Sequence, residues 1–164
     1  MNSDAFRHLY GYHFAENRKI WDSCVMALSD EAFARELDYS RGFVRDQVLH
    51  LVDVGYAWLS GLRGDPEPDP PDAAAVADRR LIRARWDDVE SRMRDYLTRL
   101  TDDMLGGRPF ADGEDADLRL WQVLAQVVNH GTDHRAQLLR QLHDLGVKTE
   151  SQDYVFYAYE NPLP

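Results

Sequence analysis

The stretch Val127-Val128-Asn129-His130-Gly131-Thr132-Asp133-His134-Arg135 decides how this chain is read. Four residues of α-helix make a little over one turn, so the imidazoles of His130 and His134 leave one face about one pitch apart. Leu120, Val123, Val127, Leu138 and Leu145 share that face at helical spacing, which marks a long core-facing helix. Two histidines directed into apolar surroundings are costly unless they are paired. A shared transition-metal ion would satisfy both. Helical HxxxH pairs also occur without metal, each ring hydrogen-bonded inside a core, and the pair alone leaves both readings open. Gly131 stands where a zinc protease of the HExxH type needs Glu, so that class is disfavoured.

Outward from this helix the periodicity stays helical almost throughout, without a repeat of 20–50 residues. A first helix is expected from about Asp4 to Leu28, with Phe6, Tyr10, His13, Asn17, Ile20, Cys24 and Leu28 on one stripe. Ser29 and Asp30 can cap a short turn over Glu31–Glu36, and Ser40 is read as the cap of a second helix from about Gly42 to Leu62. That helix carries Phe43, Gln47, His50, Val54 and Ala57 on one stripe, with Leu51, Trp58 and Leu62 beside it.

Four of the seven prolines fall between Gly64 and Asp72, interleaved with acids, and predict an exposed extended connection. A third helix, about Ala74 to Leu100, repeats Ile82, Trp86, Val89, Met93, Tyr96/Leu97 and Leu100 as a bundle seam. Gly106, Gly107, Pro109 and Gly113 make 102–117 a loop, with a short hairpin expected there. Asp115 or Asp117 would cap the last long helix, which Gly146 stops. The tail Asp153–Tyr159 is aromatic enough to pack on the bundle or on a second subunit. The expected fold is an all-α four-helix bundle in one domain over 1–164, and the long second connection permits a non-sequential topology.

Composition narrows the function. A net charge of -10 argues against nucleic-acid binding, which needs a basic face. Arg79, Arg80, Arg83 and Arg85 cluster, but Asp78, Asp87, Asp88 and Glu90 surround them, as on a solvated helix face. The single cysteine, Cys24, excludes an internal disulfide, and its apolar neighbours point to a buried structural thiol. No apolar run approaches the ~18 residues of a membrane span and no leader pattern opens the chain, so a soluble cytoplasmic protein is expected.

A metal held by His130 and His134 needs at least one more ligand. His50 on the second helix is a candidate, and three imidazoles from two facing helices would leave a position open for water or substrate. Among His8, His13 and His143, only His13 lies on the inner stripe of its helix and competes seriously. With Ser40-Arg41-Gly42-Phe43, Leu49-His50-Leu51, Trp58-Leu59-Ser60-Gly61-Leu62 and Asn129-His130-Gly131-Thr132-Asp133-His134-Arg135-Ala136-Gln137-Leu138, the chain resembles the DinB/YfiT-like family of metalloenzymes over nearly its whole length. That resemblance implies an antiparallel four-helix bundle, often dimeric, with His50, His130 and His134 as ligands of a divalent ion such as zinc or nickel. It leaves the reaction open, since some relatives are transferases or isomerases dependent on a low-molecular-weight thiol.

Three neutral imidazoles leave a +2 ion uncompensated, so a bound water or thiol would be strongly acidified. Hydrolysis or S-transfer on a small-molecule substrate follows, and the alternative is a non-catalytic metal-binding or interaction bundle. Asp46, Asp53, Asp133, Gln126, Gln137 and Gln141 are candidates to orient the rings. Arg135 is a candidate for an anion or a salt bridge. A homodimer is expected, with no nucleic-acid or membrane partner.

Overall fold

The computed structural model describes residues 1–66, 69–70, 72 and 76–163. Helix α1 (Ser3–Ile20) starts where the Asn2 side chain accepts from the Ala5 amide at 2.9 Å, satisfying one of the orphan donors of a helix start. Phe6, Tyr10, His13, Asn17 and Ile20 are all buried. The helix does not run on regularly to Leu28. It widens into a π-helical turn, Trp21–Val25, closed by Met26 N–H donating to Trp21 O at 3.0 Å. The extra residue in that turn re-aims the stripe, so that Trp21, Cys24 and Val25 all face inward. Trp21 then meets Trp86 edge to face at 5.6 Å. Cys24 is buried, as its neighbours predict.

Ser29 caps the short α2 (Asp30–Phe33), accepting from the Ala32 amide at 3.1 Å. Helix α3 (Val44–Arg63) ends at Gly64, whose φ of +70° is the left-handed cap that favours glycine. Its start corrects the sequence reading: Phe43 occupies the N-cap and Ser40 is not a cap. Ser40 adopts φ +53° and spends its hydroxyl on Gln47 and Gln137 instead.

Helix α4 (Arg79–Thr98) is capped by Asp78 accepting from the Arg80 amide at 2.8 Å. The expected start at Ala74, and Glu67, Pro68 and Pro71 of the proline-rich connection, lie outside the described residues. Arg79 turns inward and donates to Val25 O and Leu28 O, tying α4 to the frayed end of α1.

Before the last long helix there is no hairpin: among the described residues there is no strand. Asp102–Gly106 form a 3₁₀ turn, and the backbone beyond satisfies itself locally, for instance by Gly107 N–H to Met104 O at 2.9 Å. Such a turn-rich stretch leaves no paired extended segments for a ladder. Helix α5 (Leu120–Asp144) is not capped by Asp115 or Asp117. Arg119 takes the N-cap position, where its amide donates to Gln122 Oε1 at 2.8 Å, while Asp117 pairs with Arg108. The tail forms α6 (Tyr154–Glu160) and packs on α1, with Tyr154 edge-on to Tyr12 at 5.3 Å.

Helix α1 packs chiefly against α4 and α5, and α3 packs against the same two. Thus α1 and α3, consecutive long helices, lie across the bundle from each other, as the long second connection permits. The core runs through the middle of this ring: Phe6, Val48, Leu59, Leu124, Leu138 and Leu142 are essentially inaccessible to solvent. One stripe is displaced from its expected place. On α3 the buried face is centred on Val44, Val48, Leu51, Val52 and Leu59, while Ala57 is exposed. His50 therefore sits at the rim of the α3–α5 seam, half-buried, rather than in the core.

Candidate metal centre

The rim of that seam brings His50, His130 and His134 together. His50 Nε2 lies 3.1 Å from His130 Nε2 and 3.3 Å from His134 Nε2. One ligand atom from each residue falls within 4.8 Å of the others, so the three could hold a metal ion. Ligands about 2.0–2.1 Å from a tetrahedral ion stand about 3.3 Å from one another, and these separations are close to that. All three rings are half-buried. Burial is the first cause lowering their pKa values, and the Arg41 guanidinium also acts in that direction on each. His50 is taken down to about 4, whereas Asp133 partly opposes the fall at His130 and His134. Neutral rings at neutral pH leave their lone pairs free for a cation.

The other histidines stay apart. His143 is exposed, and His8 is stacked near Tyr157 of the tail. His13 is buried in a different network across the α1–α5 seam. Arg135 Nη1 donates to His13 Nδ1 at 2.9 Å and to Asn17 Oδ1 at 3.0 Å, Nη2 donates to Thr132 Oγ1 and Nε to Gln152 Oε1. Among the described residues Arg135 thus forms no salt bridge, and its donors are spent on groups of the protein itself. It is fully buried, and its fork ties α1, α5 and the tail together through neutral acceptors. Gly131 gives this network its room: a Cβ there would stand 2.7 Å from His13 Nδ1 and closer still to Cε1.

Burial, then Arg135 and His130, hold the His13 pKa well below its ordinary 6.5. A depressed folded-state pKa means the unfolded chain binds the extra proton, so the contribution is complete above pH 6.5 and is lost as pH falls toward the folded value. In metal-free protein, urea unfolding should show stability falling from pH 7 to 5, with His13 contributing up to about 1.4 kcal/mol per pH unit. A stability unchanged over that range would contradict the assignment.

Of the expected orienting residues, Asp46 pairs with Arg45 and Asp53 with Arg85. Asp133 accepts from Gln137 at 3.0 Å, Gln141 donates to Tyr39 O, and Gln126 is exposed. A residue outside that set that reaches a triad ring is Gln47, which sequence reasoning placed on the stripe but gave no role. Its fully buried amide lies 2.9 Å from His134 Nδ1 and donates to His134 O at 3.0 Å, while Ser40 Oγ donates to its oxygen at 2.9 Å. The available signal was its place one turn before His50. These contacts fix the orientation of the His134 ring beside the triad. Gln47→Met should therefore weaken metal affinity about 10–100-fold. A chelator-competition titration giving wild-type affinity would remove Gln47 from the site.

Among the described residues no helix is long and apolar enough to cross a membrane. No similar protein was found among curated sequences. The DinB family model matches residues 1–162, so the likeness first seen around His50, His130 and His134 extends along nearly the whole chain, and the protein belongs to the DinB family.

Proposed function

We propose that His50, His130 and His134 bind one divalent metal ion, zinc or nickel, and that the protein is a metal-dependent enzyme acting on a small molecule through an activated water or low-molecular-weight thiol. The observation that carries the reading is the convergence of three imidazoles from two helices, with His50 Nε2 3.1 and 3.3 Å from the Nε2 atoms of His130 and His134 and all three ligand atoms within 4.8 Å of one another. An all-imidazole donor set suits zinc and nickel better than magnesium, calcium or manganese, which favour oxygen ligands. Such an ion would supply Lewis acidity, lowering the pKa of a water or thiol beside it toward neutrality.

The chain's own residues provide the rest. His50 reaches the site from α3, and the one-turn spacing of His130 and His134 presets two of the three donors on α5. Gln47 holds the His134 ring. Partial exposure of all three rings leaves a side of the site open to a ligand. The test is metal content of the purified protein and titration of stripped protein with zinc or nickel. One ion per chain at micromolar affinity or better supports the reading, and its absence removes it. Activity with electrophilic substrates that depends on added thiol would select transfer over hydrolysis. A tightly bound ion with neither activity would leave the alternative, a non-catalytic metal-binding bundle.

A homodimer in the cytoplasm is part of the same proposal. Phe156, Tyr159 and Trp121 are 54%, 75% and 47% exposed, apolar surface that a second copy would cover. Light scattering at micromolar concentration should give twice 19.0 kDa, and a monomer mass would reject the dimer.

A further inference from the structure

Beside the triad stands a cation that the metal reading does not use. Arg41 Nη2 lies 3.1 Å from His50 Nε2, on the half-exposed rim that carries the three rings. Its neighbour Arg45 pairs with Asp46, but among the described residues Arg41 makes no ion pair. An arginine without a carboxylate partner, in a chain with 29 acidic and 19 basic residues, is placed against the overall charge balance.

The backbone that carries it is held at a cost. Ser40 has φ +53°, a left-handed conformation that disfavours a residue with a side chain. Around it Leu37 N–H donates to Gly42 O at 2.6 Å, and Gly42 N–H donates to Tyr39 O at 3.1 Å. The turn is fastened to the two helices that bear the triad: Ser40 Oγ bonds to Gln47 of α3 and to Gln137 of α5, and Gln141 of α5 donates to Tyr39 O. Strain kept in place by several polar contacts beside a site is characteristic of a functional constraint. Here its effect is to fix the base of the Arg41 side chain next to the open face.

Electrostatics sets what can bind there. Three neutral imidazoles do not compensate a divalent ion, and Arg41 adds a further positive charge. Asp46 and Asp53, either side of His50, are paired with Arg45 and Arg85, while Asp133, bonded only to the neutral Gln137 amide, keeps its charge and offsets one of these three positive charges. A site with that surplus favours a negatively charged ligand, and a guanidinium pairs with a carboxylate through two parallel N–H donors.

We propose that the molecule taken by this site carries a carboxylate, which Arg41 binds beside the metal's open position, making Arg41 the residue that selects anionic substrates. The inference rests on the metal reading above. Arg41 releases His50 Nε2 when that lone pair turns to the ion, and its flexible side chain then meets the ligand.

The test uses cobalt(II) as a coloured probe metal and acetate as the probe ligand, followed by visible absorption. Wild-type protein should bind one cobalt per chain, and acetate should perturb its spectrum saturably. Arg41→Gln should weaken acetate binding about tenfold or more, from the loss of a charge-assisted hydrogen bond. It should at the same time bind cobalt about three- to tenfold more tightly, because a like charge has been removed from beside the ion. Arg41→Lys, which keeps the charge and loses the fork, should fall between. Opposite movements of the two affinities separate this role from a merely structural one, which would lower both. Equal acetate affinity in wild type and Arg41→Gln, no acetate response in wild type, or joint loss of cobalt and acetate in the variant overturns the inference while the metal reading stands. Failure of the wild-type protein to bind cobalt overturns the metal reading and this inference with it.

Discussion

His50→Ala should lower the affinity for zinc or nickel by more than about 100-fold, beyond the 10–100-fold typical of losing an outer hydrogen-bond partner. The reason is geometric: His130 and His134 lie on one turn of α5, and only His50 reaches their Nε2 atoms from α3. Two ligands on a half-exposed rim cannot hold an ion as three do. The fold should survive, because His50 is only half-buried and Val48, Leu51 and Val52 around it pack independently. Thermal unfolding makes the contrast measurable. Zinc at 100 times its dissociation constant should stabilise the wild-type protein by about 2.7 kcal/mol through mass action, and should leave His50→Ala almost unmoved. An equal shift in both would remove His50 from the site. Any metal-dependent activity should vanish with the affinity.

Gly131→Ala should destabilise the protein by about 3 kcal/mol, although helix propensity alone argues for a gain of about 1 kcal/mol. Steric conflict decides the sign. The new Cβ would stand 2.7 Å from His13 Nδ1 and 3.2 Å from Arg135 Nη1, both deep in the α1–α5 seam. Relief requires moving His13, which breaks its bond from a buried guanidinium, at about 1.5–3 kcal/mol for a charged donor, on top of about 1–3 kcal/mol of overpacking. For a chain of this size the midpoint should fall by roughly 6–12 °C. Removing the obstacle tests the cause: in a His13→Ala background the same substitution should be close to neutral, a coupling visible in a double-mutant cycle. Additive effects of the two changes would show that the clash is not with His13.

The contrast between these residues shows what is readable along a chain and what is not. His130, Gly131 and His134 lie on one helix, where a fixed rise and twist turn sequence spacing into spatial arrangement. The same regularity made the stripes of α1 and α4 legible, and the aromatic tail legible as a packed element. Where local backbone choices compete on equal terms, the spacing misled. Ser40 had the composition of a cap yet took a left-handed turn, because Gln47 and Gln137 offered its hydroxyl partners on two helices. The π-helical turn at Trp21–Val25 breaks a periodic stripe for the sake of contacts such as Trp21 on Trp86.

The sequence by itself determined that the protein is all-α, and that three of its six histidines could share an ion. Helical periodicity and the His130/His134 spacing are short-range properties of one chain segment, whereas His50, 80 residues from His130, was legible as a candidate through the family pattern. Only the tertiary structure decided that His13 stands apart, that Arg135 is a buried clasp whose donors are spent within the protein, and that Gln47 and Arg41 adjoin the triad. Those relations span up to 122 residues of sequence. They depend on which helices become neighbours and how far each is rotated about its axis, and that is set by the packing of the whole core.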